Sequence, residues 1–320
     1  MARTKILIDC DPGHDDAVAL LYAAHHLDLI GVTTVHGNNT IENVTRNALA
    51  VLTLGGIDVP LAQGCAAPLL GPPHAGSGGG PAEAHGATGL DGAELPAPNR
   101  TPIALHAVDF LIEQARAHQG ELVLAVIGPA TNVALAIKRE PRFASWLREI
   151  TVMGGSAGRG NIFPTVEYNA FCDPEAAAIL YACGAPIRMV GYDVTSVTGT
   201  TEADIARLRS GGTVARTIAD LLFFYRARQQ EYFGLDIAPM HDVCAIVPYV
   251  DETLLTYRHC HVGVELAGTF TRGMTVCDFR TLTEAGQTLR GAGTPNAHVA
   301  TDADVPRLIG GVVETLLGYG

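Results

Sequence analysis

The densest chemical signal in the chain is Asp9-Cys10-Asp11-Pro12-Gly13-His14-Asp15-Asp16, which sets four carboxylates within eight residues. Like charges packed this closely need compensation. Capping a helix explains one aspartate, because the helix dipole favours negative charge at its start. It does not explain four, and a bound cation is the economical remedy. The candidate donors are oxygen atoms, which points to Ca2+ or Mg2+ rather than zinc. A capped helix with a solvated acidic turn remains the plain alternative.

A second set of polar residues is scattered. His241-Asp242 opens an apolar run (Val243, Ala245, Ile246, Val247), where Asp242 can serve as a helix cap. Asn38-Asn39 and Thr131-Asn132 sit where turn chemistry would suffice. Asn161, Glu167, Asn169 and Asp173 come after the glycines Gly154, Gly155, Gly158 and Gly160. What unites these groups is position: each follows a predicted strand or precedes a predicted helix, the edge where an open α/β sheet binds ligands.

The elements themselves come from hydrophobic periodicity. Strands are predicted over 5–9, 29–35, 59–62, 122–127, 150–153 and 187–190, and helices over 15–24, 40–54, 106–118, 133–138 and 174–183. A helical stretch covers 201–232, broken near Gly211-Gly212. A further helix starts at 241, strand-like runs cover 259–266 and 274–279, and a last helix covers 305–317. The alternation predicts an α/β fold: an open, mostly parallel, Rossmann-like sheet flanked by helices on both faces, in a single domain over 1–320. The interruption at about 68–100 is rich in Gly and Pro and reads as a long flexible loop over a site near His85. Inside it, the Gly-x-Gly at 76–80 lacks the flanking strand and helix of a dinucleotide fingerprint.

A net charge of −12 with no Lys/Arg block argues against nucleic acid or an anionic membrane as partner, since phosphate contacts need clustered cations. No segment reaches the apolar length of a membrane-spanning helix. The chain passes from Met1 into a strand without a secretory apolar region, which predicts a cytoplasmic protein. Seven scattered cysteines without a Cys-x-x-Cys pair read as buried apolar groups.

Taken in order, Asp9-x-Asp-Pro-Gly-x-Asp-Asp-Ala17, Thr33-Thr-Val-His-Gly-Asn38, Gly128-Pro-Ala-Thr-Asn132, Met153-Gly-Gly155, Glu167-Tyr-Asn169 with Asp173-Pro-Glu-Ala176, and His241-Asp242 resemble the inosine-uridine preferring nucleoside hydrolases. The resemblance runs to about residue 280. It implies an N-glycosidase of nucleoside salvage that hydrolyses purine and pyrimidine ribonucleosides, such as inosine and uridine, to ribose and free base. It also implies Ca2+ held by the side chains of Asp11, Asp16 and Asp242 and the backbone carbonyl of Thr131. Asp15, Asn38, Asn161, Glu167 and Asn169 would then hold the sugar hydroxyls, with His85 on the base side. Loss of the base leaves positive charge on the ribose, which nearby carboxylates stabilise. By the same resemblance Asp11 takes the proton of a water acidified by the metal, and His241 assists departure of the base. Family members are homo-oligomers, dimers or tetramers, and residues around 225–235 align with no base-side pattern.

Two other readings compete. Asp9-x-Asp11 after a first strand also opens Mg2+-dependent aspartate-nucleophile phosphatases, but Pro12-Gly13 replaces their usual hydroxyl or apolar residue and no cations accompany the cluster. A non-catalytic ribose or nucleoside sensor would use the same pocket, yet binding alone gives no reason for a water-activating carboxylate at Asp11.

Overall fold

In the computed structural model, which describes residues 3–72, 82–283, 285, 286, 288, 291 and 293–319, the first strand shows how the sheet must be covered. β1 (Lys5–Cys10) turns Ile6, Ile8 and Cys10 toward one apolar cluster and Leu7 toward another, the period-two alternation of a strand. A strand that is apolar on both faces needs helices on both. The remaining strands are β2 (Asp28–Thr34), β3 (Leu61–Gln63), β4 (Val123–Val126), β5 (Glu149–Met153), β6 (Ile187–Val190), β7 (Gly199–Thr200), β8 (Ala238–Pro239), β9 (Leu255–Val264), β10 (Thr275–Asp278) and β11 (Ala297–Ala303). The helices are α1 (His14–His26), α2 (Ile41–Leu54), α3 (Ala82–His85), α4 (Ala107–Ala117), α5 (Thr131–Arg139), α6 (Phe143–Trp146), α7 (Tyr168–Cys172), α8 (Pro174–Tyr181), α9 (Tyr192–Thr195), α10 (Glu202–Leu208), α11 (Thr213–Phe233) and α12 (Val305–Leu317). Helices α1, α2, α11 and α12 cover the Ile6 face, and α4, α5, α6 and α8 the Leu7 face.

The main sheet runs β10-β9-β11-β6-β5-β4-β1-β2-β3. Its pairings are parallel from β3 through to β11, and β9 and β10 join antiparallel. The chain builds outward from β1 through β2 and β3, then returns to place β4 on β1's other side. That reversal opens a crevice beyond the strand ends. Register keeps those ends level: Asp9 pairs with Thr33 and with Val126, and the Ile127 N–H donates to the Asp9 carbonyl at 2.9 Å.

The strands and helices expected up to residue 190 are present within about two residues at each end. The helix expected from 241 is not. Asp242–Ala245 and Val247–Tyr249 form short 3-10 turns instead, because Pro248 supplies no N–H and disfavours helical backbone at Val247. Strand β11 has no counterpart among the expected elements. Its apolar residues are small or irregularly spaced, and its place is fixed by pairing with β6 and β9. Residues 73–81, including the Gly-x-Gly at 76–80, lie outside the described residues. From 82 onward the segment is packed, with His85 and Leu90 buried. Among the described residues no helix is long and apolar enough to cross a membrane.

Candidate active site

The acidic motif spans the step from β1 into α1. Asp16 closes that step by accepting the Gly13 N–H at 2.8 Å and the Asp11 N–H at 3.3 Å, so its carboxylate caps the positive end of α1. Gly13 is needed for room rather than for a left-handed turn. Its φ is −101°, and a Cβ there would stand 2.7 Å from the His85 ring and 2.9 Å from Asn38 Nδ2. Asp11 is confined in the same way, since a Cβ on Gly128 would lie 2.6 Å from its Oδ1 and one on Gly37 would overlap its Oδ2. The Asn38 N–H donates to Asp11 Oδ2 at 2.6 Å. Asp9 faces away, where Oδ1 accepts from Thr33 Oγ1 (2.6 Å) and Asn132 Nδ2 (2.8 Å).

Asp242 reaches this turn from the far end of the chain. Carboxylate oxygens of Asp15, Asp16 and Asp242, all buried, lie within 4.8 Å of one another. Burial pushes Asp16 up to about 6 and Asp15 up to about 8, and holds Asp11 and Asp242 well above the carboxylate range. For Asp11, Asp15 and Asp242 the charge of neighbouring carboxylates adds to burial. Among the described residues no Lys or Arg is a leading influence on any of the four. Converging hard oxygen donors without a protein counter-charge suit a divalent cation such as Ca2+ or Mg2+. Asp15, which the resemblance assigns to the sugar, belongs to this close group, whereas Asp11 stands beside it. Thr131, at the start of α5, donates its hydroxyl to Asp173 at 2.7 Å and lies 2.9 Å from His36 Nε2.

A cavity of about 300 Å³ opens onto the acids, with Asp11, Asp15, Asp242 and Asn38 in its wall. Asn161, Glu167 and Asn169 line it as well. Glu167 accepts from the N–H groups of Gly155 (2.7 Å), Asn169 (2.9 Å) and Ala170 (3.2 Å), and burial pushes it up to about 7. Asn169 spends its amide N–H groups on the carbonyls of Ile127 (2.9 Å) and Met153 (3.0 Å), at the ends of β4 and β5. Asn161 Oδ1 is buried without a hydrogen-bond partner among the described residues, so a ligand donor is the natural complement. All six residues expected to touch the sugar or base therefore line one cavity, and so does His241. Of the expected metal set, Asp11 and Asp242 face the cavity and Asp16 sits behind them, fully buried.

Much of the remaining lining is aromatic. Helix α11 contributes Tyr225, Gln229, Tyr232 and Phe233, whose i, i+4, i+7, i+8 spacing puts them on one helical face. That spacing was visible in the sequence but matched no motif. His241 Nδ1 lies 2.8 Å from Thr195 Oγ1, its ring stacks on Tyr192 at 5.7 Å, and burial lowers it to about 4. The cavity thus has polar walls suited to a polyhydroxyl ring and aromatic walls suited to a planar one.

A family model described as inosine-uridine preferring nucleoside hydrolase matches residues 6–310. The chain is 40% identical over 304 residues, 93% of each chain, to the pyrimidine-specific ribonucleoside hydrolase RihA of Enterobacter sp. (strain 638). It is 36% identical over 281 residues, 87% of this chain and 88% of the relative, to the pyrimidine-specific ribonucleoside hydrolase RihB of Shigella flexneri serotype 5b (strain 8401). Among solved structures, the purine-preferring ribonucleoside hydrolase from Gardnerella vaginalis superposes with a TM-score of 0.90 at 31% identity, covering 98% of both chains.

Proposed function

Because the chain belongs to the inosine-uridine preferring nucleoside hydrolase family and is a ribonucleoside hydrolase, we propose that it is Ca2+-dependent, uses Asp11 as its base and cleaves pyrimidine ribonucleosides ahead of inosine. One observation carries the reading: Asp242 meets the amino-terminal acidic turn at the wall of a cavity also lined by Asn161, Glu167 and Asn169. Asp11, Asp16, Asp242 and the Thr131 carbonyl would hold the ion, with Asp15 close enough to share it. Bound there, Ca2+ supplies positive charge that draws the ribose diol and acidifies a water.

The chain's own groups supply the remaining steps. Asp11, fixed by the Asn38 N–H and closed in by Gly37 and Gly128, takes the proton of the attacking water. Asp15, Asn38, Asn161, Glu167 and Asn169 hold the sugar hydroxyls, matching donors and acceptors at fixed positions. As the bond to the base breaks, positive charge spreads over the ribose ring. The carboxylates around it stabilise that charge more than they do the neutral substrate, which is the condition for lowering the barrier. The aromatic face of α11 takes the base. Gln229 offers it a donor and an acceptor in one group, the pairing an amide-like pyrimidine edge requires.

The test is base release from uridine, cytidine and inosine, with and without a chelator. We expect release from all three, fastest for the pyrimidines, lost with chelator and restored by Ca2+. Tight nucleoside binding without turnover would favour the sensor, and phosphate release from p-nitrophenyl phosphate without base release would favour the phosphatase. His241 is assigned to the departing base. In this role the Thr195 hydroxyl, 2.8 Å from Nδ1, would donate to it and leave the proton of the neutral ring on Nε2. A purine offers a basic ring nitrogen to such a donor where uracil offers only carbonyl oxygens. His241→Ala should therefore slow inosine roughly 10²-fold and uridine much less, and equal losses would refute base-specific donation.

A further inference from the structure

Tyr168 is the member of the Glu167-Tyr168-Asn169 run that the steps above leave without a role. Its neighbours pin it from both sides. Glu167 is fastened to the N–H groups of Gly155, Asn169 and Ala170, and Asn169 to the carbonyls of Ile127 and Met153. Tyr168, the first residue of α7, therefore stands on a fixed base at the cavity wall. From there its hydroxyl donates to the carbonyl oxygen of Gly37 at 2.9 Å, across 131 positions of the chain.

The carbonyl of Gly37 and the N–H of Asn38 are the two ends of one peptide group, which is planar and rigid. Its N–H end is the donor that meets Asp11 Oδ2 at 2.6 Å. Both directions follow from the atom types alone. A carbonyl oxygen only accepts and an amide N–H only donates, so the chain of hydrogen bonds runs from the Tyr168 hydroxyl through the peptide to the Asp11 carboxylate. A peptide can turn about its flanking bonds, and glycine is the residue that resists least. Gly37 is nonetheless required, because a Cβ there would overlap Asp11 Oδ2. Close approach is thus obtained at the expense of local stiffness, and a hydrogen bond from outside the loop restores the stiffness. A donor on the carbonyl also polarises the amide, which strengthens its N–H toward the carboxylate.

We infer that Tyr168 is a positioning residue for the reaction: its hydroxyl fixes the Gly37–Asn38 peptide, and that peptide holds the Asp11 carboxylate in the orientation from which it takes the proton of water. The segment that holds the sugar through Glu167 and Asn169 thereby also sets the base.

The inference rests on Asp11 being the base, and the experiment separates the two. Gly37–Asn38 and Gly160–Asn161 are the two Gly-Asn pairs in the sequence. The Ca2+-loaded full chain, labelled with 13C-carbonyl glycine and 15N-asparagine, therefore gives two cross-peaks that link a carbonyl carbon to the following amide, and Asn161→Gln removes the second. The remaining cross-peak reports both ends of the peptide and needs no turnover. In the wild type its amide proton should lie downfield and exchange slowly with solvent. Tyr168→Phe removes only the hydroxyl, and both the carbonyl carbon and the amide proton should then move upfield. In the same variant kcat should fall by roughly 3- to 10-fold, the worth of one neutral hydrogen bond, with KM within about twofold of the wild type. A wild-type Asn38 amide that exchanges like that of an open loop overturns the inference even if Tyr168→Phe fails to fold. So does a cross-peak that Tyr168→Phe leaves unmoved, or a KM that rises while kcat holds, the pattern of a hydroxyl that binds the sugar directly. A cross-peak that moves with kcat unchanged overturns the catalytic half, and Asp11→Asn then decides whether the fault lies in the role of Asp11 or in its link to Tyr168.

Discussion

Asp11→Asn should lower kcat by roughly 10²- to 10⁴-fold, the range a positioned general base contributes, while leaving the fold intact. Asparagine is nearly isosteric with aspartate, and its carbonyl oxygen can still accept the Asn38 N–H that Asp11 receives at 2.6 Å. It fits the same slot between Gly37 and Gly128, where a larger side chain would not. What it lacks is a site for the water's proton. Because Asp11 borders the metal group, the measurement belongs at saturating Ca2+, with circular dichroism as the control for folding. KM should move only a few fold, since the ribose contacts of Asn161, Glu167 and Asn169 are untouched. A variant that keeps kcat within tenfold of the wild type removes Asp11 from the role of base.

Calcium should stabilise the protein, and the gain should grow as pH rises. The sign follows from burial and mutual repulsion. Asp16 and Asp15 are raised to about 6 and about 8, above ordinary carboxylates, and burial and neighbouring carboxylates raise Asp11 and Asp242 well above that range too. A group raised on folding contributes stability below its unfolded value and loses it as pH climbs through the folded one. The metal-free protein should therefore weaken between about pH 4 and 8, and a bound cation reverses that loss. At Ca2+ about a hundredfold above its dissociation constant the gain is about 2.7 kcal/mol, a Tm rise of about 4 °C for a chain of this size. Asp242→Asn should abolish both the rise and the turnover. Without metal, the variant should melt above the metal-free wild type at pH 8, because it no longer carries a carboxyl group that folding holds above its unfolded value. Thermal scans at pH 5 and 8 with chelator or Ca2+ read all of this. A Ca2+-induced rise that survives in Asp242→Asn would place the ion elsewhere.

The fold up to residue 190 was legible in hydrophobic periodicity, and the candidate site residues stood out for a different physical reason. Asp11, Asp16, Asn38 and Thr131 lie in short local motifs at strand ends, where one stretch of sequence carries both the turn and the ligand. Asp242 needed the resemblance, since its own neighbourhood reads as a cap, and only the fold brings it to Asp15 and Asp16. Strand β11 escaped because it is made by its partners β6 and β9 rather than by its own pattern. The residues from 241 misled because an apolar run suggests a helix, and Pro248 decides otherwise. His14 was in plain view within the acidic motif. Its ring meets that of His85, 71 positions away, and no local pattern encodes that contact.

The two kinds of wall in the cavity come from different parts of the chain: the acids and amides stand on turns at strand ends, and most of the aromatic lining hangs on the single helix α11. On the proposed assignment, substitutions along that helix can retune which leaving group is accepted without disturbing the groups proposed to break the bond. Selectivity is thereby free to drift under selection while the reaction stays fixed, an arrangement under which relatives of one architecture can diverge toward pyrimidines or purines.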